Sequence, residues 1–502
     1  MRESGVLMHI TSLPGPYGVG TMGKQAYAFA DFLKKAGQSK WQVLPLTPTG
    51  FGDSPYQSCS AFAGNPYLID LEMLVEEGLL EKAEPEAVCW SKQEDWVDFG
   101  SLYENRNNVL RLAYDRFQKD EDLEKFSESN CDWLPDFALF MALKDAHGGK
   151  PWYTWEEKLK HRDPDALWKA RRALKEPIRF YCFVQYLFYK QWEALRSYAH
   201  AAGVEIIGDV PIYVPMDSAD VWSNPELFAL DEKLDPIAVA GCPPDAFSED
   251  GQLWGNPLYR WDVHKQDGYS WWLRRMRAAA SWYDVIRIDH FRGFESYWEV
   301  PYGAPTARSG KWAKGPGLDF IRALQKALPQ VRMIAEDLGV ITPEVKALKE
   351  AFGFPGMKVL QFAFDSEEPS DYLPHNCTVD SICYTGTHDN MTAAQWLQTA
   401  PEKTRRYAVR YMRLEEQEGF AWGMIRTAMA TVSGLCIAQM QDYLELDGAA
   451  RMNFPGTNSG DNWTWRAAPG FMTDALAERI RSLTGLYGRL AKQAQSDNKS
   501  HC

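Results

Sequence analysis

The sequence predicts an α/β fold, a (β/α)8 TIM barrel interrupted by large loop insertions that form helical subdomains. Three observations predict it. Residues 5–46 read strand, helix, strand, the spacing of a βαβ unit and so of a parallel sheet. Strand-length apolar runs recur along the chain with helices between them, eight in all. Several of those runs end in a carboxylate, and a barrel places its chemistry at the C-terminal ends of its strands. The alternative is a doubly wound sheet, set aside because neither a GxGxxG nor a GxxxxGK[ST] phosphate loop is read along the chain.

The elements follow in order. GVLMHI (5–10) reads as a buried strand. A Gly/Pro-rich loop leads from it to an amphipathic helix at 24–36, and WQVLPL (41–46) is the second strand. The loop at 47–70 is long, and long loops beyond barrel strands are functional more often than others. Its Asp53, Ser54, Tyr56, Gln57, Ser60, Asn65, Tyr67 and Asp70 are candidates to line a cleft, against the reading that they only pin the loop through Asx turns. Helical patterns fill 72–200. IIGD brings a third strand to Asp209. A second excursion, about 211–280, contains the Pro- and Gly-framed segment 238–259, read as an ordered lid. VIRID (285–289), VRMIAE (331–336), GMKVLQFAF (356–364), the run into THD (387–389) and SGLCIAQM (433–440) supply the remaining strands. TPEVKALKEAFG is a helix with Thr before it and Pro343 in its first turn. MNFPGTNSGDNWTWR (452–466) is a polar and aromatic loop, and the last helix spans 473–493. The expected organisation is 1–71 for the first two strands and first site loop, 72–200 for a helical insertion, and 201–502 for the rest of the barrel.

Composition narrows the function. With 54 basic and 68 acidic residues the net charge is −14, which disfavours nucleic acid and anionic membranes as partners. Nine scattered cysteines form no CxxC pair and no zinc spacing, so free thiols and no metal are expected. Met1 stands almost directly before the first strand, so no secretory signal is expected, and the chain has no run of about 18 apolar residues, so no membrane span is expected. Twenty Trp, several beside Asn, Asp and Arg, suit stacking on sugar rings.

The acids at strand ends carry the chemistry. Alternation along VIRID puts Arg287 and Asp289 on one face and Ile286 and Ile288 on the other. Alone, this is equally a structural ion pair or a reactive site. Glu336 and Asp389 end two further strands, and two carboxylates flanking a glycosidic bond are what glycosyl transfer requires. Asp337 is read as structural rather than as the partner of Asp289. Asp209 either supports Arg287 or touches substrate, and His388 either bonds substrate or is a buried structural imidazole.

These motifs together resemble glycoside hydrolase family 77, the 4-α-glucanotransferases of the α-amylase clan. The matching stretches are GVLMHITSLPGPYGVG, SPYQSCSAFAGNPYLIDL, GDVPIYVPMDSADVW, GCPPDAFSEDGQLWGNPLY, VIRIDHFRGF, IAEDLG, YTGTHDN and MNFPGTNSGDNWTWR, from residue 5 to about 466. The resemblance implies a retaining transferase without metal or organic cofactor. It implies Asp289 as nucleophile, Glu336 as general acid/base and Asp389 as transition-state stabiliser. Tyr56, Asp209, Phe247, Trp254, Asn256, Arg287, His290, His388, Asn390 and Asn462 are the expected glucan contacts, and 241–251 the expected lid, with Ala246 where some relatives carry an aromatic. The expected substrates are α-1,4-glucans and malto-oligosaccharides. The expected state is a monomer or small homo-oligomer in the cytoplasm, or in a plastid if the chain is a trimmed mature form. An amylase-like retaining hydrolase is the alternative activity, and a non-catalytic glucan-binding protein a third reading.

Overall fold

The computed structural model describes residues 2–244, 248–364, 370–457 and 460–491. Eight parallel strands close into a barrel: β1 (Glu3–Leu7), β2 (Lys40–Gln42), β3 (Glu205–Val210), β6 (Val285–Ile288), β9 (Arg332–Ala335), β10 (Gly356–Val359), β11 (Ser381–Tyr384) and β12 (Leu435–Gln439), with β12 beside β1. Near-continuous apolar runs such as Val285–Ile288, buried throughout, mark strands covered on both faces.

Some bounds differ from the sequence reading. The second strand is three residues long, although Val43 N–H still donates to Ile207 O and prolongs the ladder. The sixth ends at Val359 and turns into a 3-10 segment at Leu360–Phe362, where the Gln361 amide is drawn off to Met391 O. The last helix stops at Leu486, before Gly488 with φ +64°. GVGTMG (18–23), between β1 and helix Lys24–Lys35, does have GxGxxG spacing, but its glycines serve packing. A Cβ on Gly20 would fall 1.9 Å from Ile10 O, and one on Gly23 1.9 Å from Asp70 Oδ2.

Between β2 and β3 the chain makes only helices and turns, including Phe99–Arg116, Leu134–Ala146 and the 27-residue helix Lys175–Ala201. The last buries Phe180, Phe183, Leu187 and Trp192, packs on Leu134–Ala146 and Lys24–Lys35, and feeds β3. A second sheet, absent from the sequence reading, joins the excursions before and after β6. Its strands are β4 (Ala238–Cys242), β5 (Gln252–Pro257), β7 (Ser296–Pro301) and β8 (Lys311–Lys314), antiparallel in the order β5-β4-β7-β8. It stands beside the barrel mouth because β7 follows the end of β6 within a few residues.

Candidate active site

Register builds the site. Asp209 of β3 and Arg287 of β6 are lateral partners in the parallel ladder, so their side chains leave the same face at the same height. They meet at 2.5 Å, both almost fully buried. Arg287 also pairs with Asp289 at 2.9 Å, where the strand has just ended and the carboxylate is 29% exposed. One guanidinium thus spans a buried acid and an acid open to the cleft. Burial opposes the charge on Arg287, but Asp209 and Asp289 outweigh it and its pKa stands well above the usual value. Asp209 is pushed up to about 7 by burial, against the pull of Arg287, and accepts a 2.8 Å hydrogen bond from the Tyr56 hydroxyl.

Glu336 follows β9 directly. His290 adopts a left-handed conformation (φ 52°), which turns its N–H onto Glu336 Oε2 at 2.8 Å, while Leu338 N–H donates to Oε1 at 2.8 Å. Glu336 is half-buried, with both carboxyl oxygens held by backbone donors. Burial raises its pKa to about 8, with Asp289 adding to the rise and Arg287 and the two N–H donors opposing it. Asp337 faces away, paired with Lys349 at 2.6 Å and accepting from Met357 N–H at 2.7 Å, so it anchors a helix and β10.

Asp389 lies on the loop after β11. Its side chain is 41% exposed, and Oδ2 is 3.4 Å from His388 Nε2. Asn453 Nδ2 donates to Oδ1 at 2.7 Å, and Arg451 to the Asp389 carbonyl at 2.8 Å. Neither Asn453 nor Arg451 was among the sequence candidates; the only signal was their place in and beside the polar 452–466 loop. His388 is buried, its pKa lowered by that burial, and stacks on Tyr56 at 5.1 Å with Trp463 beside both rings.

The remaining candidates divide. Trp254 stands edge-on to His290 at 4.8 Å, at the site wall. Burial, with Arg292 nearby, holds His290 neutral with its pKa down at about 3. Asn256 is 4% exposed and exchanges amide hydrogen bonds with Gln57 at 3.2 and 3.5 Å. Asn390 Oδ1 accepts from Thr387 N–H and hydroxyl, both 2.9 Å. Asn462 is spent within its own loop, on Phe454 N–H at 2.9 Å and on Thr457. Phe247, with Ala246 and that part of the lid, lies outside the described residues. In the 47–70 loop, Ser60, Asn65 and Asp70 are turn and cap residues: Ser60 Oγ accepts from Phe62 and Ala63, Asn65 caps Pro66–Leu68, and Asp70 caps Leu71–Glu76.

Among the described residues no group of three or more His, Cys, Asp or Glu is placed to hold a metal ion, and no helix is long and apolar enough to cross a membrane. None of the described cysteines is in a disulfide.

Three comparisons bear on this arrangement. The glycoside hydrolase family 77 model, described as 4-alpha-glucanotransferase, matches residues 8–473. A 4-alpha-glucanotransferase of Clostridium butyricum is 47% identical over 486 residues, covering 96% of this chain and 100% of the relative. One from Thermus thermophilus is 48% identical over 502 residues, covering 97% and 99%. Among solved structures, an amylomaltase from Streptococcus agalactiae in complex with acarbose superposes with a TM-score of 0.95 at 43% identity, covering 97% of this chain and 100% of that one.

Proposed function

The chain belongs to glycoside hydrolase family 77, the 4-alpha-glucanotransferases, and from that premise we propose which side chains carry each step of the transfer. The activity moves an α-1,4-glucan segment from one maltodextrin to the 4-hydroxyl of another glucan or of glucose, by a retaining double displacement. Asp289 attacks C1 while Glu336 gives its proton to the departing 4-oxygen. The C1–O4 bond breaks, a β-linked glucosyl ester forms on Asp289, and the reducing-end fragment leaves. Asp389 bonds sugar hydroxyls and favours the electron-poor transition state.

The observation that carries this reading is the contrast between two neighbouring acids. Asp289 lies against the Arg287 guanidinium, and Glu336 is held protonated by burial to a pKa of about 8. A carboxyl held protonated beside one that lies against a guanidinium supplies an acid and a nucleophile. The same electrostatics drive the second half. Asp289 is one of the charges that raise Glu336; once Asp289 is an ester that charge is gone and the Glu336 pKa falls. Glu336, now ionised, takes the proton from the acceptor 4-hydroxyl, whose oxygen attacks C1 and releases Asp289 with the α-linkage restored. Transfer outruns hydrolysis because a bound acceptor presents its hydroxyl at high effective concentration.

Incubation with maltotriose tests the transfer. A ladder of shorter and longer oligosaccharides with nearly constant reducing ends is expected; reducing ends that rise in step with cleavage would identify the amylase-like hydrolase instead. We further propose a cytoplasmic monomer or small homo-oligomer, measured by fractionation and light scattering. The potato relative, at 42% identity, is described as chloroplastic/amyloplastic.

A further inference from the structure

Glu336 leads into residues 337–341, and one buried side chain reaches across to hold that loop. Arg292, three residues beyond Asp289, is 5% exposed. One arm donates to Val340 O. The other donates to Ser296 Oγ at 3.1 Å, and Nε to Ser296 O at 3.4 Å. The guanidinium lies 3.8 Å from the ring centre of Trp312 on β8, a cation–π contact. Trp312 is braced edge-on by Trp298 of β7 at 5.1 Å. Ser296 Oγ donates to Glu295 at 2.6 Å, and Glu295 pairs with Lys314 of β8 at 2.5 Å. One arginine therefore ties together the loop after Asp289, the loop after Glu336 and the second sheet.

Val340 is two residues past Leu338, whose N–H donates to Glu336 Oε1 at 2.8 Å. We propose that Arg292 is a positioning residue for Glu336: by holding Val340 it keeps the Leu338 N–H aimed at the Glu336 carboxyl group, and Trp312 shields that hold from water. The inference rests on the reading of Glu336 as acid/base. The groups that face Glu336 are Arg287 and Asp289 from β6 and its end, the His290 N–H, the Leu338 N–H, and the Tyr372 phenol from the segment before β11. Of these, only Leu338 depends on the 337–341 loop. An N–H donated to a carboxylate favours the charged form, so releasing the loop raises the Glu336 pKa and leaves less of it ionised at neutral pH to act as the base of the second step.

The test is the pH profile of kcat/KM on maltotriose for Arg292→Met, Arg292→Lys and the partly exposed Trp312→Ala. In Arg292→Met the alkaline limb is expected to move up by about one pH unit or more, the worth of one hydrogen bond to a charged group. At neutral pH kcat should fall roughly tenfold with KM within about twofold, as for loss of an interaction made in the transition state. Arg292→Lys should recover part of the shift. Trp312→Ala should move the limb in the same direction by less, and should add nothing on top of Arg292→Met, because both act through one contact. Activity lost with the limb unmoved in Arg292→Met and Trp312→Ala, or a limb that moves down, overturns the proposal. Glu336→Gln separates the two levels. An alkaline limb that persists in its residual turnover belongs to another group and removes the premise; a limb abolished there but indifferent to Arg292 and Trp312 removes only the positioning role.

Discussion

Asp389 shows how much one neutral amide is asked to do. It is the most open of the three acids and sits on a loop, so its rotamer is set by contacts rather than by packing. One oxygen receives Asn453 Nδ2 at 2.7 Å and the other lies 3.4 Å from His388. A group that must meet sugar hydroxyls in the transition state loses effect when it wanders by even an ångström. Replacing Asn453 by Leu keeps the branched shape and removes the donor. The expected result is a kcat lower by about 10- to 100-fold, the usual scale for losing an orienting partner. Asn453 is only partly buried, so thermal stability should barely change. Steady-state kinetics on maltotriose beside a thermal melt check this, and an unchanged kcat would show that Asp389 orients itself.

The loop at 385–393, which carries His388 and Asp389, is held at both ends by one residue. Asp442, fully buried after β12, accepts the Thr385 hydroxyl at 2.6 Å and the Ala393 N–H at 2.7 Å, while Gln361 and Gln439 both donate to Met391 O. Burial raises the Asp442 pKa to about 6, so at neutral pH it is ionised and both oxygens accept. Asp442→Ala strands a buried N–H and a hydroxyl, a cost of about 1–3 kcal/mol for each group left unsatisfied, and frees the loop. Asp442→Asn keeps one acceptor for Ala393 and can turn its amide toward Thr385. Well below the melting temperature, kcat should therefore collapse in the Ala variant and survive in the Asn variant; equal activity in the two would sink the clamp. Asp442 also marks the limit of what the sequence makes legible. The barrel strands are visible because both faces are covered and the apolar runs are nearly continuous; Asp289 and Glu336 are visible because each directly follows such a run, whereas Asp389, read as a strand end, lies on the loop beyond β11. Asp442, Asn453 and Arg292 act on partners 48 to 64 residues away, and no local pattern encodes that distance. The second sheet escaped for the same reason. Its central strands, β4 and β7, pair across the whole of β6, and neither excursion alone contains a complete sheet.

Across the whole molecule, buried ionisable groups set how stability depends on pH, and their signs oppose. Burial lowers the pKa of His9 and His290 to about 3 and of His264 to about 4, and also lowers that of His388. The unfolded chain binds these protons first, so these groups make stability rise with pH up to the ordinary histidine value of about 6.5. Asp220 and Asp442, raised to about 6, Asp209, to about 7, and Glu336, to about 8, do the reverse. The folded state keeps their protons after the unfolded chain has lost them, so stability falls as pH rises from about 4 through each folded pKa. Four histidines against four carboxyls produce a plateau between about pH 4.5 and 6.5. Above it the histidines are neutral in both states, and Asp220 and Asp442 are ionised in both. Of these eight groups Asp209 and Glu336 still differ, each worth about 1.4 kcal/mol per pH unit while it holds its proton. From these carboxyls stability should decline by about 2 kcal/mol between pH 6.5 and 8. Urea unfolding midpoints of the parent and of Glu336→Gln, followed across that range, isolate the acid's share. The variant removes the titration, so its midpoint should fall less steeply and end above the parent's at pH 8. Parallel curves would mean that Glu336 is not held protonated in the folded protein, and the same result would remove the acid from the first step of transfer. A proton kept at neutral pH for catalysis is thus also measurable as stability given up.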